Sequence, residues 1–268
     1  MNTMDTDAYF GRVGWSGALA PDHRTLSGIL AAHMAAIPFE NLDVLLGRGV
    51  RLDLGSVQAK LVHARRGGYC FEHGTLLGAV LERLGFAVAR HTARVVIAAP
   101  RAQSPRTHMF LTVALPEGSF VLDPGFGALA PRAPVPLAPH TAVHVGSETH
   151  WMAREDDVWV LRTRGPDGTI DCWVSTLERD NAVDFELGNH YTATHPQSSF
   201  VNRILMRALT PEGRVSVMNR DVTTWHQGKA ASHQLADRAA LRRLVAAHFG
   251  FDLPQIETMR VPSVPEWS

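Results

Sequence analysis

Cysteine is nearly absent. Cys70 and Cys172 are the only two in 268 residues, too few for a disulfide framework, which excludes the stapled folds of small secreted domains. No apolar stretch reaches the roughly 18 residues of a membrane span. The best run, Val95 to Ala99, is short and flanked by Arg94 and Arg101. The polar start MNTMDTDAYF lacks the basic and apolar regions of a signal peptide, so a cytoplasmic location is expected. Neither sign of charge is in excess: 26 Lys and Arg balance 26 Asp and Glu. That removes the electrostatic reason to expect nucleic acid or an anionic membrane as partner and leaves small molecules. Internal repeats and low-complexity segments are missing too. What remains is globular in composition, 45% hydrophobic and 19% charged, and long enough to bury a large core without staples.

The pattern changes twice along the chain. Residues 1–84 alternate helical stretches with polar breaks: Thr25 to Ala35 before Pro38, Ser56 to Ala64 before Gly67-Gly68, and Cys70 to Leu84 before Gly85. Ser56 is the expected N-cap of the second and Gly85 the stop of the third. Residues 85–189 read as short strands with frequent turns, a barrel or sandwich: Ala87–Ala98, His108–Leu115, Ser119–Asp123, Ala142–Val145, Trp151–Arg154, Val158–Arg162 and Ile170–Ser175. The proline-rich stretch from Pro131 to Pro139 is a loop within this unit. Residues 190–268 hold two strands, Arg203–Leu209 and Arg214–Met218, and a helix from about Leu235 to Phe249. This third unit is too small for a core of its own and must pack on the others.

Cys70 sits in RRGGYCFE (65–72) at the start of a predicted helix. A lone cysteine is commonly a small buried hydrophobe. Here three features favour the thiolate instead: the preceding arginines, the electropositive helix N-terminus and an imidazole brought from elsewhere. Gly67 and Gly68 let backbone approach a substrate closely. His108 opens HMFLTVAL and Asp123 closes SFVLD, with Pro116-Glu117-Gly118 as the turn of a hairpin. Paired with His108 opposite Asp123, the two side chains share a face, and the carboxylate orients the imidazole. Taken alone, the pair also reads as a strand-end histidine and a turn aspartate. Beside Cys70 it reads as the rest of a Cys-His-Asp triad, and the Cys70 N–H is a candidate oxyanion donor. Cys172, within a strand, has no such neighbours.

The segments IPFENLD (37–43), RRGGYCFE (65–72), RTHMFLTV (106–113), LDPGFG (122–127) and THPQSSFVNR (194–203) together resemble the arylamine N-acetyltransferases, in order and at the family's spacing over nearly the whole chain. The resemblance implies an α+β fold: an N-terminal helical bundle carrying the nucleophile, a β-barrel carrying the other two triad members, and a C-terminal α/β lid. The first two would form a cysteine-protease-like core. It implies Cys70 as acetyl acceptor, His108 as base and Asp123 as third member. Phe39, Phe126 and Phe200, with Tyr69 beside the nucleophile, would contact the aromatic substrate. Glu40 and Arg66 would brace the nucleophile loop, together with Gly67, Gly68, Gly125 and Gly127. Acetyl-CoA is then a cosubstrate and no cofactor is permanently bound. Two positions depart from the family pattern. Pro124 stands where a valine is commoner, and His73-Gly74 where Gln-Asn is common. The loss of that amide leaves open what else bonds Asp123, with backbone near Gly125 or Gly127 as one candidate.

Other chemistries fit less well. His140, His144 and His150 are the densest of fourteen histidines but lack the ligand set of a zinc site, and the helical H-E-x-x-H pair is absent, so no metal is expected. Gly125-Phe126-Gly127 lacks the rest of a phosphate-binding loop. A cysteine hydrolase or an amide synthase of polyketide type would use the same triad. A purely binding module gives the three residues no joint role. The sequence names neither the physiological amine nor the oligomeric state.

Overall fold

A computed structural model describes residues 3–165, 168–227 and 229–267. It is a mixed helix and sheet fold. The opening helices are α1 (Thr6–Val13), α2 (His23–Ala36), α3 (Leu42–Leu45) and α4 (Leu54–Gln58), the last running on through a π-helical turn over Ala59–His63, and then α5 (Cys70–Arg83). Each start has a local cause. Asp5 and Asp22 cap the first two by accepting from the backbone N–H groups of Ala8 and Thr25. The cap of α4 is Asp53, which accepts from the N–H of Ser56. The sequence reading gave that role to Ser56 itself; a carboxylate one turn earlier is the stronger acceptor and competes successfully. Cys70 is the first residue of α5, whose Leu76, Leu77, Val80 and Leu81 are fully buried. Gly85 follows with φ of 89°, the left-handed step that turns the chain out of the helix.

The strands are β1 (Ala87–Val95), β2 (Arg106–Leu115), β3 (Gly118–Leu122), β4 (Val135–Pro136), β5 (Val143–Val145), β6 (Glu148–Glu155), β7 (Val158–Gly165) and β8 (Gly168–Ser175). They form one antiparallel eight-stranded sheet in the order β4-β3-β2-β1-β8-β7-β6-β5. The sheet curls until it is nearly closed: a bridge joins Pro139, after β4, to Met152 on β6. Trp173, Phe110, Val121, Val135, Met152 and Leu161 fill its interior. The opposite face of β2 and β3 packs on the helices, through Met109, Leu111, Val113, Phe120 and Leu122.

Helix α6 (Ala182–Thr194) was not foreseen, and the boundary expected at 189/190 falls inside it. Its apolar residues lie on more than one side: Phe185 is buried while Val183 and Leu187 are 57% and 65% exposed. No single stripe therefore marks it in the sequence. A short α7 (Ser199–Asn202) follows, then β9 (Leu205–Thr210), β10 (Gly213–Met218), β11 (Asp221–His226) and β12 (Lys229–Gln234) in a second antiparallel sheet, and α8 (Arg238–His248). β11 and β12 were also missed, because β12 is exposed throughout and carries no alternation to read.

One strand-like segment joins these parts. Phe39 exchanges both backbone hydrogen bonds with Arg207 on β9, at 2.8 and 2.9 Å. On its other side the Gly68 N–H donates to the Pro38 carbonyl and the Glu40 N–H to the Gly68 carbonyl, at 3.2 and 2.9 Å. The Gly67-Gly68 loop, residues 38–40 and the second sheet thus share one ladder. It is tight: a Cβ added at Gly67 would fall on the Pro38 carbonyl oxygen and against Glu40 Cγ. Gly67→Ala is accordingly expected to destabilise the fold by about 1–3 kcal/mol, the usual cost of overpacking. Urea unfolding measures it. An unchanged midpoint would mean that this seam has slack.

Candidate active site

Cys70, His108 and Asp123 come together between α5 and the curled sheet, all nearly inaccessible at 3%, 3% and 0% exposure. His108 lies on β2 beside a bulge. Ala93 pairs with His108 but Arg94 pairs with Arg106, so Thr107 is the extra residue. Its carbonyl, released from regular pairing, accepts from the Cys70 Sγ–H at 3.9 Å. The β2–β3 register puts Leu111 opposite Leu122. Asp123, one residue past the strand, therefore comes level with Phe110 and not with His108 as expected. The two-residue offset preserves the face, because side chains two apart on a strand point the same way. The carboxylate reaches the imidazole diagonally.

His108 Nε2 donates to Asp123 Oδ2 at 2.8 Å. Nδ1 is then the nitrogen left on the Cys70 side of the ring, and Cys70 is among the groups that favour its protonated form. Burial alone would lower the basicity of His108. The charge of Asp123, its hydrogen bond and the contact with Cys70 outweigh that, and the imidazole titrates above its ordinary value. Cys172 differs in kind. Burial first, then the charges of Asp123 and Asp171, drive its thiol up, so it stays protonated.

The question raised by Gly74 has an answer in the first sheet. Trp173 Nε1 donates to Asp123 Oδ2 at 2.8 Å, so an indole on β8 supplies the second donor and no backbone donor near Gly125 or Gly127 is used. The other oxygen, Oδ1, is buried with no partner among the described residues. Position 74 is filled from across the interface: a Cβ there would meet the side chain of Met109 at 3.0–3.1 Å. Gly125 has its own reason. A Cβ would overlap Cys70 Cα, so this glycine lets the strand-end loop lie against the start of α5.

The expected aromatic residues differ in how they relate to this centre. Phe126 meets the His108 ring edge-on at 4.8 Å between centroids. Phe200 contacts Phe39 at 6.2 Å and Tyr69 at 5.3 Å. Phe39, Phe126 and Phe200 are partly exposed, whereas Tyr69 is fully buried and its hydroxyl donates to Asn189 Oδ1 on α6. Asn41, unread in the sequence, fixes α7. Its side chain donates to the carbonyls of Phe200 and Arg203 and accepts from the Leu205 N–H, all at 2.8–2.9 Å.

Glu40 and Arg66 do pair, at 2.6 Å, and both are buried. Sequence reasoning missed the rest of the group. Asp43 accepts from Arg66 at 2.9 Å, and Lys60 reaches Asp43 at 2.9 Å and Glu72 at 2.8 Å. Glu72 in turn accepts from the Tyr69 N–H at 3.1 Å, closing the cluster onto the residue before Cys70. Burial would raise the Asp43 carboxyl, but the charges of Lys60 and Arg66 hold it low. Glu72 is raised by burial, with Lys60 opposing.

A second buried chain ends at the same loop. Tyr9 Oη lies 3.0 Å from His33 Nδ1, His33 Nε2 lies 2.8 Å from His73 Nδ1, and His73 Nε2 lies 3.3 Å from the Pro38 carbonyl. A carbonyl only accepts, so every proton in the chain is assigned. His73 Nε2 donates to Pro38, His33 Nε2 donates to His73, and Tyr9 donates to His33. Both imidazoles are neutral. Burial pushes His73 down to about 4 and His33 well below its ordinary value.

The metal candidates are dispersed. His150 Nε2 bonds the Leu129 carbonyl at 2.9 Å, His144 Nδ1 bonds Thr149, and His140 adopts φ of 62° in a loop. Among the described residues no group of three or more His, Cys, Asp or Glu has the geometry to hold an ion. Among the described residues no helix is long and apolar enough to cross a membrane.

Comparison with known proteins adds the following. A family model described as N-acetyltransferase matches residues 22–258. The arylamine N-acetyltransferase of Escherichia coli (strain K12) is 38% identical over 244 residues, covering 90% of this chain and 87% of that protein. That of Mycolicibacterium smegmatis is 38% identical over 93% of each. The structure of Mycobacterium marinum arylamine N-acetyltransferase in complex with CoA superposes with a TM-score of 0.89 at 32% identity, over 94% of both chains.

The neutral histidines give the site a pH signature. Unfolded, a histidine titrates near 6.5, whereas His73 does so at about 4. Between those values the unfolded chain binds the proton that the native one refuses, so stability rises with pH across the window and is lost as pH falls. For His73 the total is about 3 kcal/mol. His73→Gln keeps a donor for Pro38 and an acceptor for His33, and should flatten the decline by that share while leaving stability at neutral pH little changed. Urea midpoints of both proteins across this window test it. An unaltered slope would mean that His73 does not carry the penalty.

Proposed function

The chain belongs to the arylamine N-acetyltransferase family, and from that membership we propose that it transfers an acetyl group from acetyl-CoA to the nitrogen of arylamines, arylhydrazines or related aromatic amines. The observation that carries the reading is the buried Cys70-His108-Asp123 line, with one imidazole nitrogen on the carboxylate and the other left for the thiol. Acetyl-CoA enters as cosubstrate, and no resident cofactor is needed for the chemistry.

The route is ping-pong. His108 Nδ1 takes the Cys70 proton and the sulfur attacks the thioester carbonyl. The tetrahedral oxyanion faces the Cys70 N–H, an orphan donor at the first position of α5. Collapse expels the thiol of coenzyme A, which leaves with the proton from His108. Thiolate for thioester is a nearly isoenergetic exchange, so the acetyl group waits on Cys70. The amine nitrogen then attacks, His108 removes its proton, and the amide departs as the Cys70 sulfur is regenerated. Asp123 holds the ring in the tautomer that presents Nδ1, and Trp173 holds Asp123.

Phe39, Phe126 and Phe200 supply rings for a flat aromatic acceptor. Tyr69, fully buried, backs Phe200. Glu40, Arg66 and the glycines at 67, 68, 125 and 127 hold the two loops that meet at Cys70. In architecture this is a helical bundle over residues 1–84, a barrel over 85–189, and from 190 a linker, beginning inside α6, with an α/β lid. The first two form a cysteine-protease-like core. The acceptor nitrogen and the donor thioester meet where all three join.

The test is acetyl-CoA-dependent turnover of an aromatic amine. Cys70→Ala is expected to abolish it with the fold intact, and Cys172→Ala to leave it unchanged. Asp123→Asn, which offers the imidazole the wrong partner, should lower the rate by about 10³ to 10⁴. Turnover by Cys70→Ala, or an Asp123→Asn protein at full rate, would overturn the assignment.

A further inference from the structure

Three arginines are buried among the described residues: Arg12, Arg66 and Arg207. Arg66 pairs with Glu40 and Asp43, and Arg207 with Glu148. Arg12 has no carboxylate among the described residues. Its Nε donates to the Leu61 carbonyl at 3.0 Å and its Nη2 to the Arg65 carbonyl at 3.2 Å, which fixes the guanidinium and leaves Nη1 with no acceptor among the described residues. A buried cation answered only by carbonyl dipoles is costly. A second cation makes matters worse. The Arg65 side chain stands close enough to repel Arg12, and burial together with that repulsion lowers Arg12 to about 10.

Both arginines open on one pocket of about 240 Å³ between α1, the start of the nucleophile loop and the C-terminal end of α8. Its wall also carries His248, and neither aspartate nor glutamate lines it. Arg65 is held there in the left-handed conformation, φ 54°, an unfavourable one for a residue with a side chain. Arg12, Arg65 and His248 therefore line one space that has no carboxylate side chain to answer them.

We propose that this pocket is a binding site for a small phosphate-type oxyanion, held by Arg12 Nη1 from within and by Arg65 and His248 from the rim. Guanidinium groups suit tetrahedral oxyanions because their N–H fork matches two oxygens at once. The occupant would neutralise the charge that the fold leaves unpaired and tie α1 to α8 across the residue that precedes Arg66. The site is separate from the triad and does not depend on the acetyl-transfer reading.

The experiment is a titration of the whole protein with inorganic phosphate against chloride at constant ionic strength, read by calorimetry and by the rise in Tm that selective binding to the native state produces. A saturable site is expected. Because Arg12 is buried and its replacement could unfold the chain, the variant is Arg65→Gln with His248→Gln, both exposed. It should fold as the parent does by circular dichroism and lose at least about tenfold in phosphate affinity. Competition by adenosine 3′,5′-bisphosphate would identify a nucleotide phosphate as the source. Phosphate bound without competition would identify the free ion. No saturable binding by the parent protein, or an unchanged affinity in the folded double variant, would overturn the proposal.

Discussion

Everything at the site depends on how a flexible glycine loop is made rigid enough to present one sulfur, and the fold does this with buried charge. Glu40, Asp43 and Glu72 share Lys60 and Arg66 beneath residues 66–72. Such a cluster is not an economical source of stability, since desolvation offsets much of the attraction. Its value is geometric. Removing one member strands the others in a dry interior at a cost of about 3–5 kcal/mol, so the loop has few alternative arrangements. Apolar packing could not do the same, because two glycines offer no side chains to pack.

The cluster does not act alone. The Pro38–Glu40 segment bonds the glycine loop before Cys70 on one side and Arg207 of β9 on the other, so the second sheet, Phe39 and the residues before Cys70 are held in one hydrogen-bonded ladder. The Tyr9-His33-His73 chain meets the same segment at the Pro38 carbonyl. It is polarised in one direction and neutral, which adds rigidity without adding charge next to an already acidic cluster. On the far side Gly125 lets the Asp123 loop lie directly against Cys70. Two loops distant in sequence are thereby held in contact at Cys70.

Much of this was legible in the residues. Helix α5 announced itself through Leu76, Leu77, Val80 and Leu81, the strands through alternation and turn residues, and the triad through one cysteine in a glycine turn beside a hairpin holding His and Asp. The failures have physical causes. A bulge at Thr107 and a two-residue register offset are backbone events with no residue signature, although the parity of the strand kept His108 and Asp123 on one face. Trp173 is 50 residues from Asp123, and its donor could be found only once the sheet had closed. Lys60 and Asp43 look like ordinary surface charges until the loop folds over them. Helix α6 was invisible because its apolar residues serve both a buried and an exposed face.

The central claim is that Cys70 carries the acyl group between two half-reactions. The most direct measurement is the intact mass of the protein after mixing with acetyl-CoA in the absence of any amine, followed by peptide mapping. A gain of one acetyl group on Cys70, discharged when an aromatic amine is added, is the predicted result. An unmodified protein that nonetheless acetylates the amine when both substrates are present would contradict the account, because transfer would then pass directly between substrates.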